Sequence, residues 1–396
     1  MEFPTSSTNL TFEGRSIRVA ALIETRRIHA TAVWRRCPPA PCISPSTECV
    51  GTMTQSASTI AVAPATQDPL QSPAAKPGVH ALSRFGIPLG LAGLGGGWSA
   101  ARSYLAAPLW PEEILYATAT AMWLVLTATY VFRGLRRKGT FRSDLKHEVA
   151  GPFASFVPLV GILLSSHYSQ YLPPWGSWVC GAFIAALAIV AAQLLAHWVT
   201  GGVSMQSIHP GYLLPVVAGS FVASIGFSII HAHDAAIATF GVGMFFWLLV
   251  GTVVTVRLMT GGELTPAAKP GLTAYLAAPA TANIAWMVSH PGPMGAVQLG
   301  LTGVLAIMTL LQVMLLAEYR KLRFTPAFWV FTFPVGATTN YAIRWLAATS
   351  LPGREIYAWT ILGLATAFTL AIAARTAASR SSRIQRDKSH TVNEGG

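Results

Sequence analysis

Long apolar runs follow one another from residue 82 to residue 375, separated by short polar connections. Each run has 20 to 24 residues with almost no charge inside it. A helix of that length crosses roughly 30 Å of hydrocarbon at about 1.5 Å per residue. The pattern predicts ten membrane-spanning helices, with successive spans as antiparallel neighbours because the connections are short. The predicted spans are residues 82–104, 112–132, 149–168, 175–198, 210–230, 235–256, 270–289, 294–316, 326–347 and 356–375.

Proline divides the predicted spans into two kinds. In the even-numbered spans proline occurs only at or before the start, as at Pro111 and Pro293. The odd-numbered spans each contain one proline well inside the span, and the set is Pro88, Pro158, Pro215, Pro279 and Pro334. A single interior proline is explained by the ordinary plasticity of membrane helices. Strict alternation over ten spans instead indicates an internal repeat of one helical hairpin.

An interior proline removes a backbone hydrogen bond and kinks its helix. In a bilayer, the carbonyl group that loses its partner needs a protein neighbour or a water-filled cavity. We therefore expect the kinked odd-numbered helices at the centre and the straight even-numbered helices outside, facing lipid. Five parallel kinked helices around one axis predict a central pore.

Composition excludes most soluble functions. The chain has 396 residues, of which 52% are hydrophobic and 11% charged, and its mean hydropathy is +0.49. Soluble proteins carry about 25% charged residues, so a soluble globular enzyme is excluded. The sequence has no His-Glu-x-x-His motif, no Asp-rich diphosphate site and no Gly-x-Ser-x-Gly elbow, and we expect no enzyme activity, no cofactor and no metal site.

The basic excess indicates membrane topology. The formal net charge is +12, and Lys and Arg gather in the cytoplasmic loops of membrane proteins. From Lys76 onward, every Lys and Arg lies on one side of the predicted spans except Arg102, Arg344 and Arg354. We therefore predict a multi-pass protein of the cell membrane with both termini in the cytoplasm. No basic soluble domain is visible, so nucleic acid is not an expected partner.

Three regions follow from the polarity of the chain. Residues 1–76 are polar, rich in Ser, Thr and Pro, and predicted to be disordered. Met53 is a second plausible start, and we take residues 1–52 as a possible gene-model extension. Residues 77–378 form the predicted membrane domain, and residues 379–396 form a polar cytoplasmic tail. The cysteines near the amino terminus match no standard zinc spacing, and Cys180 lies inside an apolar run.

The charges available to the predicted pore favour anions. No Asp or Glu lies in the middle of an odd-numbered span, and the ten histidines fall in loops or at span ends, so cation channels and carboxylate proton relays are disfavoured. Arg84 and Arg102 are 18 residues apart, which places them on the face of the first span that carries Pro88, Gly95 and Ser99. Arginines that snorkel to the lipid interface are the alternative explanation.

The ninth span carries a similar face. Phe333, Asn340 and Arg344 are separated by seven and four residues and so lie on one side of a helix. If both faces line the axis, the path has positive charge at its ends and a neutral middle, which suits anions. The glycine-rich run at residues 89–97 provides room beside a narrow conduit, and close helix packing explains it equally well.

Four short motifs together resemble one family of membrane proteins. They are Phe85-Gly86-Ile87-Pro88-Leu89-Gly90, His209-Pro210-Gly211-Tyr212, Ala277-Ala278-Pro279-Ala280 and Phe331-Thr332-Phe333-Pro334. In this order and topology they resemble the tellurite-resistance/dicarboxylate transporter family, which includes plant slow anion channels, a yeast malate permease and a sulfite exporter. The resemblance covers residues 80–378. The long regulatory termini of the plant members do not match the tails of this sequence, so we do not expect their phosphorylation control here.

The resemblance implies an all-α fold of five helical hairpins in a quasi-fivefold bundle around a central pore, usually in a homotrimer. It also implies that the Phe before the proline of the ninth span, here Phe333, plugs the pore at mid-membrane. Members of this family transport chloride, nitrate, malate or sulfite, so the resemblance does not identify the transported anion. The leading hypothesis is an anion channel or channel-like uniporter, and the alternative is a coupled carrier that exports sulfite or moves dicarboxylates.

Overall fold

The computed structural model describes residues 81–136 and 139–393, with side chains described to residue 379. Within these ranges the regular structure is helical throughout. The predictions for residues 1–76, including the alternative start at Met53, lie outside the described residues. In the described part of the chain ten α-helices carry the fold, and a short helix at Thr140–Leu145 follows the second. They are α1 Gly86–Leu105, α2 Leu109–Arg136, α3 Phe156–Tyr168, α4 Trp175–Val199, α5 Gly219–Ile229, α6 His233–Thr260, α7 Ala274–Ser289, α8 Ala296–Arg320, α9 Thr332–Ala347 and α10 Arg354–Asn393.

Six segments of the described chain are long and apolar enough to cross a membrane by length and composition. This marks the protein as an α-helical membrane protein with several spans. Five of them coincide with the predicted even-numbered spans: α2, α4, α6, α8 and the first part of α10. The sixth is Pro210–Ile229, which ends in α5. The helix of α10 continues to Asn393, through most of the region predicted to be a polar tail.

Burial alternates along the chain. In the apolar windows of α2 and α8 only 11% of residues are buried, whereas 72% are buried in Pro210–Ile229. All five predicted span prolines are buried as well. The odd-numbered helices therefore form the interior and the even-numbered helices the outside, as the proline pattern predicted.

The helix contacts follow a simple order. Each odd-numbered helix packs against the even-numbered helix that follows it, from α1 with α2 to α9 with α10. Among the odd-numbered helices, α1 contacts α3, α3 contacts α5, α5 contacts α7, and α7 contacts α9. The contact between α9 and α1 closes this order into a ring.

The prolines mark a change of helix type. Turns of 3-10 helix lie ahead of α3, α7 and α9, at Gly151–Ser155, Lys269–Thr273 and Pro326–Phe331. A 3-10 turn and a π turn that contains Pro215 lie ahead of α5. Pro88, Pro158 and Pro334 are each the third residue of their α-helix, where the backbone N–H has no partner inside the helix and its loss costs little. Pro279 lies deeper in its helix.

Glycine allows α1 and α9 to approach closely. A β-carbon built on Gly336 would lie 2.5 Å from the carbonyl carbon of Gly93, and one built on Gly90 would overlap the Thr332 side chain. No residue with a side chain fits these two positions without separating the helices. The glycine-rich run thus serves close packing in α1, which is one of the two explanations that its sequence left open.

Candidate functional site

A large cavity lies inside the ring of odd-numbered helices, toward their carboxyl ends. Its volume is about 520 Å³. All five odd-numbered helices line it, for example through Gly96, His167, Ile225, Thr281 and Asn340. A cavity of this size holds many waters or a small organic molecule.

A much smaller cavity lies at the opposite ends of the same helices. Its volume is about 20 Å³, which is room for about one water. The walls are apolar and come from the same five segments of chain, through Gly86, Phe156, Leu214, Ala277 and Trp329.

Phe333 separates the two cavities. Among the described residues it is the one side chain that lines both of them, and it is 5% exposed. Its ring lies against Gly93 of α1, where a β-carbon would come within 3.0 Å of Cδ2. The Phe333 side chain therefore lies at the boundary between the large cavity, which has polar and apolar walls, and the small apolar one.

Two polar side chains follow Phe333 on the same face of α9 and line the large cavity. Arg344 donates from Nε to Oδ1 of Asn340, at 2.7 Å. Arginine has no acceptor, so this bond fixes the amide with its oxygen toward Arg344 and its nitrogen away from it. The Arg344 guanidinium also lies over the Tyr104 ring, 5.8 Å from the centroid. The face predicted from the spacing of Phe333, Asn340 and Arg344 thus lines one cavity.

A second charged group lies where α1, α2 and α3 meet, and Arg102 and His167 in it also line the large cavity. Arg102 donates from Nε to Oε2 of Glu112 at 2.6 Å, and the Glu112 side chain is fully buried. His167 lies between two carboxylates, with Nδ1 3.4 Å from Glu112 and Nε2 3.3 Å from Glu113. Arg102 therefore has its charge neutralised locally, in contrast to Arg344.

His167 is held in place by stacking. Its ring is 3.7 Å from the ring of Tyr116 and nearly parallel to it, at 8°. A neutral imidazole has an N–H on one nitrogen only, so one of the two carboxylates faces a lone pair unless the ring carries a second proton. Glu112 and Glu113 lie at opposite ring nitrogens and do not converge on one point. Accordingly, no group of three potential ligands in the described part of the chain could hold a metal ion.

Two predicted pore-face residues lie elsewhere. Arg84 is exposed, in the turn before α1 begins, so the helical phase that linked it to Arg102 does not extend to it. Gly95 packs against the Tyr116 ring of α2, and Gly93 and Gly96 line the cavity instead.

Sequence reasoning missed Glu112 and His167. His167 does lie at a span end, but its side chain is only 3% exposed and lines the cavity, so the expectation that the histidines are peripheral does not hold for it. The available signal was an acid in the first turn of an apolar helix, ten residues after an arginine at the same end of the bundle.

The opposite end of the ring is tied together by side chains that bind the backbone. The Tyr212 hydroxyl donates to the carbonyl of Glu148 at 2.7 Å, and Ser204 donates to the Glu148 carboxylate at 3.0 Å. Hydrogen bonds from Ser207 and Ser204 lower the pKa of Glu148. His209 accepts from the backbone N–H of Gly211 through Nδ1, and its Nε2 lies 3.1 Å from the carbonyl oxygen of Val149. Burial lowers the pKa of His209 to about 4.

Several known proteins are similar to this chain, and their names refer to tellurite resistance or to anion channels. One is a tellurite resistance protein TehA homolog from Haemophilus influenzae, 22% identical over 278 residues that cover 69% of this chain and 84% of that protein. Others are the S-type anion channels SLAH2 and SLAH3 of Arabidopsis thaliana. SLAH2 is 22% identical over 66% of this chain, and SLAH3 is 22% identical over 75% of it. The chain spans about half the length of each plant protein.

A family model covers most of the described structure. It is the model of the voltage-dependent anion channel family that includes SLAC1, and it matches residues 81–377. The match begins just before α1 and ends in α10, so it contains the ring of helices, both cavities and Phe333. The chain therefore belongs to the voltage-dependent anion channel family.

Proposed function

We propose that this protein is an anion channel or channel-like transporter whose pore runs through the ring of odd-numbered helices and is closed by Phe333. Family membership and the names of the similar proteins support anion transport. The observation that carries the proposal is that Phe333 lines both cavities, one toward each end of the odd-numbered helices. A change of rotamer would move the ring out of a path that is otherwise open on one side.

The electrostatics of the large cavity favour anions. Arg344 and Arg102 line it, and no carboxylate comes within ion-pair distance of Arg344 among the described residues. The one buried acid nearby, Glu112, is bound to Arg102. An anion entering this cavity meets an uncompensated positive charge, whereas a cation would be repelled.

The proposed arrangement in the membrane is ten spans in five hairpins with quasi-fivefold symmetry. The order of helix contacts supports it, since each hairpin contributes one helix to the ring. The large cavity opens on the side of Arg102, Arg344 and Arg354, and the other Lys and Arg residues from Lys76 onward lie on the opposite side. We therefore propose that the protein lies in the plasma or inner membrane with both termini in the cytoplasm. A homotrimer is proposed on the family resemblance.

One observation favours the alternative of a proton-coupled carrier. His167 lies in the wall of the large cavity between two carboxylates, and these are the residue types from which proton relays in transporters are built. In that mechanism, malate or sulfite would move together with a proton and the flux would saturate with substrate concentration.

Flux into vesicles distinguishes the two mechanisms. The full chain is reconstituted in liposomes loaded with potassium chloride. Chloride release is followed after valinomycin is added, which lets potassium leave with the chloride so that no membrane potential opposes the flux. Our proposal predicts chloride release above that of protein-free vesicles, faster for Phe333→Ala, without a change of internal pH. Saturable malate or sulfite flux accompanied by proton uptake, with no chloride flux in either protein, would contradict a channel.

A further inference from the structure

We infer that a basic patch, at the end of the helix ring that holds the small cavity, binds the headgroups of anionic phospholipids. The patch lies where the chain leaves α2 and turns toward α3. The inference goes beyond the proposed function, because it needs only that the protein spans a membrane and depends neither on the transported anion nor on Phe333. The side chains of the basic patch are all exposed, and they are Arg133, Arg136, Arg142 and Lys146.

The end of α2 reaches the depth of the lipid headgroups. The helix has 28 residues, which is about 42 Å at the rise of an α-helix and longer than the roughly 30 Å of hydrocarbon. Its exposed apolar side chains continue to Phe132 and Leu135, and Arg133 and Arg136 directly follow them in the chain. Basic side chains within one turn of the last exposed apolar residues can reach lipid phosphates.

The short helix at Thr140–Leu145 packs back onto this end of α2. The Phe141 ring lies on Gly134, where a β-carbon would overlap the ring. The Tyr130 hydroxyl donates to the Asp144 carboxylate at 3.0 Å. These two contacts hold the short helix beside the last turns of α2, so the basic residues from both helices belong to one patch.

Carboxylates do not neutralise the basic patch. None of its four cations takes part in an ion pair with another described residue. Asp144 of the short helix is buried, and Glu148, the next acid along the chain, accepts from the Ser204 hydroxyl. The connection between α8 and α9 differs, because Lys321 there pairs with Glu318 at 2.6 Å. The charge of the basic patch therefore favours an anionic headgroup over a zwitterionic one.

The residues that follow the basic patch join it to the inner helices. The Lys146 carbonyl oxygen lies 3.2 Å from Nε2 of His197 in α4. The Glu148 carbonyl accepts from the hydroxyl of Tyr212, in the turn ahead of α5, at 2.7 Å. A headgroup held at the basic patch would thus stabilise the segments that lead into α3 and α5.

Native mass spectrometry of the purified full chain in detergent tests this site. The probes are equal amounts of phosphatidylglycerol and phosphatidylcholine with the same acyl chains. The test variant is Arg136→Gln with Arg142→Gln. The matched control is Arg320→Gln with Arg323→Gln, because Arg320 ends α8 as Arg136 ends α2 and all four arginines are exposed. We expect the wild type and the control to retain phosphatidylglycerol preferentially, and the test variant to bind it about tenfold more weakly or worse.

Thermal unfolding in the same detergent gives a second readout. Phosphatidylglycerol should raise the unfolding midpoint of the wild type and the control more than that of the test variant. Equal retention of the two lipids by the wild type, or an equal loss of phosphatidylglycerol in both variants, would overturn the site. Displacement of the lipid by millimolar inorganic phosphate would also overturn it, because the patch would then bind a free anion. Neither readout involves conduction, so the proposed function is judged separately by Phe333→Ala.

Discussion

Gly93 of α1 lies directly against Phe333 of α9: a β-carbon built on the glycine would be 3.0 Å from ring atom Cδ2 and 3.3 Å from the Phe333 α-carbon. The position of the aromatic ring is therefore set by a residue on the neighbouring helix of the ring. The same contact brings the two helices together at the point that separates the large cavity from the small one.

A methyl group at residue 93 should stress this contact. We expect Gly93→Ala to destabilise the protein by about 1 to 3 kcal/mol, because it overpacks the contact between α1 and Phe333. In a Phe333→Ala background the cost should be smaller, since the ring is absent. Thermal unfolding in detergent measures both. Gly303→Ala on α8 is the control, as a β-carbon there meets nothing within 4 Å, and equal effects of Gly93→Ala in the two backgrounds would refute the contact.

The pair of Arg102 and Glu112 yields a prediction about stability. Arg102→Gln leaves the fully buried Glu112 carboxylate without its partner at 2.6 Å, and we expect a loss of about 2 kcal/mol. Changing both residues, as Arg102→Gln with Glu112→Gln, should recover most of that loss because no buried charge is then left unpaired. The measurement is the unfolding midpoint of the wild type, both single variants and the double variant. A double variant as unstable as the sum of the two single variants would contradict the pairing.

His209 predicts a dependence of stability on pH. Its pKa in the folded protein is about 4, below its ordinary value of 6.5, and the cause is burial. The unfolded chain therefore binds more protons than the folded one between these values. The contribution of the neutral ring, up to about 3 kcal/mol, is present in full above about pH 6.5 and is lost as the pH falls toward 4.

The test compares unfolding midpoints of the wild type and His209→Asn between pH 4 and pH 8. Asparagine retains an acceptor for the Gly211 N–H, which His209 now binds at 3.1 Å. We expect the difference in stability between the two proteins to shrink as the pH falls from 6.5. A constant difference across this range would show that His209 does not titrate as its burial requires.

Much of this architecture could be predicted from the sequence, and the reason is chemical. Proline and apolar length are constrained by the backbone and the bilayer, so the alternation of Pro88 to Pro334 already separated inner from outer helices. The face of Phe333, Asn340 and Arg344 was predictable because all three lie within one uninterrupted helix. Family resemblance then indicated the role proposed for Phe333.

Other features depend on where helices begin and how far a cavity extends. Arg84 could not be placed correctly, since the turn before Gly86 interrupts the helical phase that spacing assumes. His167 lies at a helix end that looks peripheral in sequence, yet the large cavity reaches it. Glu112 lies at another such end and is buried against Arg102 and His167. The 3-10 turns before α3, α7 and α9 likewise could not be predicted, because no simple pattern of polar and apolar residues marks them in the sequence.

The most direct test of the central claim is the conductance of Phe333→Ala in planar bilayers, compared with the wild type and with Phe331→Ala. Phe331 is a buried Phe two residues earlier that lines neither cavity. For Phe333→Ala the account predicts an anion conductance at least about tenfold above that of the wild type, equivalent to about 1.4 kcal/mol of barrier. The current should reverse at the chloride or nitrate equilibrium potential. Phe331→Ala should show no such increase. Silent bilayers for correctly folded Phe333→Ala, or an equal increase in both variants, would contradict it.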